Sequence, residues 1–110
     1  TVMAAVDDLL YPCFCLGAQG AIAAILTAVP ELCLQLWSAT QEGWYVEARE
    51  LHERLLGVWM ALRGPNLPAR VKAAMRMQGR AGGGPRAPMR PCDSEEEKEI
   101  RAALQRAGVI

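Results

Sequence analysis

Two short apolar runs, Val2–Ala5 and residues 21–25, lie either side of one short helix-forming stretch, and they constrain this chain more than any other feature. Neither run alternates with polar residues, the pattern of strands covered on both faces. With a helix from about Asp7 to Leu16 between them they form a tight βαβ unit, so the strands must be parallel. Asp7 and Asp8 stand at the positive end of that helix. Pro12 falls inside it and argues against a regular helix, and Gly17 is a natural stop before the turn Gly17-Ala18-Gln19-Gly20. Two parallel strands alone make no stable sheet, because each edge needs a partner and each face needs cover. The first 28 residues therefore read as the end of a larger parallel sheet.

After Pro30 the pattern is helical. Leu32, Leu36 and Ala39 recur at helical spacing up to Gly43. A second helix is expected over Trp44–Leu62, with Ala48, Leu51, Leu55, Val58 and Leu62 as its apolar stripe and Glu50 and Arg54 as an i,i+4 pair. Gly64-Pro65-Asn66 breaks it, and Pro68 opens a third helix reaching about Gln78. Residues 79–91, with four glycines and three prolines, read as loop. The last helix is expected from Ser94 to Ala107, capped by Ser94 with Glu97 as a capping box, and Gly108 lies just past its end.

The 12 basic and 12 acidic side chains cancel, but they are segregated. Five acids and no lysine or arginine precede Arg49; seven basic residues and no acid lie from Arg63 to Arg90; the tail is acidic again. The basic block has no aromatic residue for base stacking and no nucleic-acid motif, so no nucleic-acid partner is expected. Gly82-Gly83-Gly84 is followed by no Gly-Lys-Ser/Thr and is not a phosphate loop. The uncharged stretch Leu9–Pro30 has the length of a membrane span, but Pro12, Gly17, Gln19, Gly20 and Thr27 interrupt it, and no membrane segment is expected. An apolar fraction of 52% excludes disorder, and the length suits one small domain. Cys13, Cys15, Cys33 and Cys92 with the lone His52 lack the spacing of a zinc site or a disulfide scaffold; they read as buried or half-buried reduced thiols, His52 as solvated, and no metal is expected. The chain opens on Thr1 with no secretory n-region, which suggests a processed product or a piece of something longer.

The run Gly17-Ala18-Gln19-Gly20-Ala21-Ile22, then Pro30, Ala48-Arg49-Glu50-Leu51-His52 and Leu55-Leu56, resembles the C-terminal third of one family. So do Leu67-Pro68-Ala69-Arg70-Val71-Lys72-Ala73-Ala74 and Gly83-Gly84-Pro85-Arg86-Ala87-Pro88-Met89. The family is the dihydrodipicolinate synthase / N-acetylneuraminate lyase group of class I aldolases, and the likeness runs through essentially the whole chain. It implies an α/β fold: the C-terminal fragment of a (β/α)8 TIM barrel, mostly helical with two short parallel strands. Residues 1–43 would be its last two βα units and residues 44–110 a three-helix C-terminal extension. It implies Schiff-base lysis or condensation of pyruvate or a related 2-oxo acid, with the lysine on strand six and a proton-relaying tyrosine on strand five. Both strands lie outside this sequence, so no catalytic residue is expected here and the chain alone is expected to be inactive.

Lys72 matches a helix lysine of the extension, and Lys98 falls in the charged start of the last helix; neither context suits a Schiff-base lysine. Three positions match substrate-facing ones. Asp7 and Asp8 match an acidic pair with which the neuraminate-lyase branch holds sugar-like hydroxyls, Asp8 standing where glutamate is usual. Ile22 matches a strand-eight residue whose backbone lies near the reacting carbonyl. Ala5 replaces a common glycine and Ala24 a frequent substrate-binding serine, which points to an altered pocket. The resemblance further implies a cytoplasmic homo-oligomer with no cofactor, binding a 2-oxo acid only in a complete barrel. A non-catalytic, self-associating remnant is the alternative, with a membrane-associated small protein behind it.

Overall fold

The structure, a computed structural model, describes all of residues 1–110. Two strands, β1 (Met3–Ala4) and β2 (Gly20–Ala21), are joined through α1 (Leu10–Cys15) and followed by α2 (Ala24–Ala28), α3 (Pro30–Gln41), α4 (Tyr45–Leu62), α5 (Leu67–Met77) and α6 (Ser94–Arg106). The strands are parallel, with Met3 beside Gly20 and Ala4 beside Ala21. Gln19 N–H donates to the Val2 carbonyl and Ile22 N–H to the Ala4 carbonyl, both at 2.8 Å, which lengthens the ladder by a residue at each end. Ala4 is buried under the helices, whereas Met3, Ala5 and Ile22 are exposed on the face where no other element packs.

Three expected boundaries shift. The first helix begins at Leu10, so Asp7 and Asp8 lie in the turn before it. Pro12 is thereby its third residue, within the first turn, where an amide has no intrahelical acceptor to lose. The second strand ends at Ala21, and the expected strand residues Ala24 and Ile25 are helical. Alanine is the strongest helix former, and the orphan amide of Ile25, the second residue of α2, finds a carboxylate, so the helix wins there. In the last helix, Asp93 rather than Ser94 is the cap: its carboxylate accepts from Glu96 N–H at 2.9 Å, while Glu96 Oε2 accepts from Asp93 N–H at 2.9 Å.

The helices pack α1 on α3, α3 on α4, α2 on α5, and α6 on both α4 and α5. One core cluster runs from Ala4 to Ala107 without a break at Gly43, with Ile25, Leu36, Leu62 and Leu104 fully enclosed. Phe14 meets Trp37 edge-on at 5.0 Å, which seats α1 on α3. Arginines cover two helix C-termini, where carbonyls lack partners and the dipole is negative. Arg54 donates twice to the Ala107 carbonyl, at 3.0 and 2.7 Å, and Arg80 donates to the carbonyls of Thr27 and Ala28. The glycine loop is held against α5 by Lys72 Nζ on the Gly84 carbonyl at 2.7 Å and Arg76 on the Gly83 carbonyl at 2.6 Å. Gly82 crosses so close that a Cβ there would lie 2.5 Å from the Lys72 carbonyl oxygen. No helix is long and apolar enough to cross a membrane.

Candidate substrate-facing site

The C-terminal ends of β1 and β2 carry the three residues singled out from the sequence. Asp7, three residues past β1, is half-buried, and its Oδ1 accepts from Ile25 N–H at 2.7 Å. The carboxylate thus caps α2 from the neighbouring strand's loop, because the helix's own cap position, Ala23, has no side chain to do it. Asp8 beside it is half-buried, and its side chain makes no hydrogen bond or ion pair. Ile22 is 74% exposed; its N–H completes the ladder, while its carbonyl accepts no hydrogen bond from the chain. The structure therefore links Asp7 to the segment that follows Ile22 and leaves Asp8 free. Ala5 and Ala24 flank this corner, exposed and half-buried respectively.

The other candidate groups lie elsewhere. Lys72 is tied to the glycine loop, and Lys98 pairs with Glu95 at 3.0 Å on the open surface. His52, expected in solvent, is half-buried with its ring 5.5 Å from that of Tyr11. All four cysteines are free. Cys33 is buried and Cys13 and Cys92 half-buried, but Cys15 is exposed, against expectation, because it lies on the outer side of α1. Burial, and then the Asp7 carboxylate, push the Cys33 thiol up to about 12, so it stays protonated and inert.

The basic block is largely consumed within the fold. Arg70 donates to Asn66 Oδ1 at 3.1 Å, the Ala61 carbonyl at 2.7 Å and Glu96 Oε1 at 3.1 Å; Arg90 donates to Glu96 Oε2 at 2.8 Å. Hydrogen bonds from Arg90, then the Asp93 N–H, then Asn66 and Arg70, hold the Glu96 carboxyl well below the usual carboxylate range. Asn66, Arg70, Arg90 and Glu96, with Arg86 and Met89, line an open cavity of about 640 Å³ in the extension. Sequence reading missed this hub; its only signal was the alternation of a basic block with an acidic tail.

An open pair of parallel strands with helices on one face is the arrangement of consecutive βα units of a parallel α/β fold, here followed by further helices. Residues 1–107 match the model of the dihydrodipicolinate synthetase family, and the chain belongs to that family. It is 31% identical over 109 residues to the 4-hydroxy-tetrahydrodipicolinate synthase of Methanopyrus kandleri, covering 99% of this chain and 36% of that protein. It superposes on the dihydrodipicolinate synthase of Thermotoga maritima with a TM-score of 0.88 at 25% identity, over 100% of this chain and 37% of that one. The N-acetylneuraminate lyase of Proteus mirabilis shares the fold, with a TM-score of 0.80 at 22% identity over 96% of this chain and 36% of that one. The chain thus spans little more than a third of the length of the relatives it matches.

Proposed function

We propose that this chain supplies the seventh and eighth βα units (residues 1–43) and the helical extension (residues 44–110) of a class I aldolase that handles pyruvate or a related 2-oxo acid. The observation that carries the reading is the family match over residues 1–107, reached by a chain whose strand pair keeps one face uncovered. In this reading Asp8 and the Ile22 carbonyl face the substrate, with Asp7 beside them, and the Schiff-base lysine comes from the strands this sequence does not contain. Lys72 and Lys98 both have structural partners, which supports giving them no catalytic role. A cytoplasmic homo-oligomer belongs to the same proposal.

Reductive trapping tests it. Incubated with pyruvate and borohydride, the purified chain is expected to keep its mass. Co-expressed with the six upstream βα units of a family member, the pair is expected to trap pyruvate on the partner segment's lysine. A stoichiometric adduct at Lys72 or Lys98, or no adduct from a well-folded pair, overturns the proposal. The exposed Met3 and Ile22 on the uncovered face of the strand pair, with Val2, Val6 and Leu9 exposed around it, favour one second reading, a non-catalytic chain that self-associates through this region. Sedimentation of the chain alone and beside the upstream segment separates the two: self-association that the segment fails to displace supports the remnant.

A further inference from the structure

Beyond the ladder bond from Ile22 N–H to the Ala4 carbonyl at 2.8 Å, a single hydrogen bond joins the ends of the two strands: Ile25 N–H to Asp7 Oδ1 at 2.7 Å. Together these bonds frame two four-residue segments, 4–7 and 22–25. Inside the frame Ala23 is extended, at φ −152° and ψ 156°, and the Ile22 carbonyl is unpaired. Ile25 is fully buried, so its amide has no water to turn to when the carboxylate is lost. Asp8 takes part in none of this.

From this geometry we infer a division within the acidic pair. Asp7 is a positioning residue that fixes the backbone of residues 22–25 through the Ile25 amide, and Asp8 has no share in that role. The relevance to substrate rests on the function proposed above; the division itself does not. What Asp7 supplies is an acceptor atom in the right place, and asparagine also supplies one at Oδ1, without the charge.

Amide exchange and chemical shifts of the whole 110-residue chain, read by NMR, test the division. In Asp7→Ala the Ile25 amide is expected to exchange on the order of tenfold faster, with Ile22 and Ala23 shifting. Asp7→Asn is expected to restore exchange to near the original rate, and Asp8→Asn to leave all three amides in place. Loss of protection in Asp7→Asn equal to that in Asp7→Ala overturns the inference, as does an equal loss in Asp8→Asn. Should Asp7→Ala fail to fold, the comparison of Asp7→Asn with Asp8→Asn still decides. A wild-type pair that traps no pyruvate sinks the aldolase reading and leaves the exchange result standing.

Discussion

Cys33 and Cys15 are the same side chain in opposite surroundings. Cys33 is buried beneath α2 with its thiol pushed up to about 12, and Cys15 is exposed. Since the thiolate is the reactive form, a thiol reagent at neutral pH is expected to modify Cys15 within minutes and to leave Cys33 intact until the chain is unfolded; mass spectrometry of the native and denatured chain checks this. Fast native labelling of Cys33 would contradict the packing of α2 on α3. The sequence marked the cysteines as reduced and unassembled, but not which one faced water, because Pro12 obscured where α1 starts and so which side of it each residue takes. Asp7 and Asp8 were legible as a pair at a strand end. Their difference was not, since it depends on an amide 18 positions away that only the sheet brings near.

The capping of α6 shows how local patterns compete at the scale of an element. Asp93-x-x-Glu96 and Ser94-x-x-Glu97 are both valid capping boxes, one residue out of register. The first wins because it turns Glu96 inward to Arg70 and Arg90, while Glu97 faces Arg76 at 3.6 Å on the surface. Asp93→Ala is therefore expected to cost about 1 kcal/mol in chemical denaturation, and Ser94→Ala less than about 0.5 kcal/mol. The same hub makes stability depend on acid. A carboxyl held below its usual value of about 4.5 stabilises the fold fully above that pH, and its contribution is lost as pH falls further. The chain is expected to lose stability below about pH 4.5, and Glu96→Gln to be less stable at neutral pH and less sensitive over that acid range. Thermal unfolding across pH for both proteins tests the pair of statements. Helix positions were readable throughout α3 to α6 because glycine and proline punctuate an apolar 3.6 period. The second strand was overextended because a short alanine-rich run carries no period that separates strand from helix.

Over the whole molecule, the barrel-derived units and the extension share one core, and a substitution at its centre is felt by both. Leu104 on α6 is fully enclosed, and Leu104→Ala is expected to cost about 2–5 kcal/mol and to unfold the chain in one transition. Two separate transitions, followed by fluorescence of Trp37 and Trp59, would show instead that the two halves unfold independently. That the strand pair belongs to a larger sheet was legible from the sequence alone, because its geometry has no complete solution with two strands. The arginine ties were not, since they join residues more than fifty positions apart. Those ties have a kinetic consequence. The end of α2 at Ala28 receives Gln78 and Arg80, and Arg54 reaches the end of α6 at Ala107. Each closes a loop of some fifty residues or more, and the entropy of closing that loop must be lost before the contact rewards it. In this mostly helical chain the arginine ties are therefore expected to form late, after the helices themselves have begun to form.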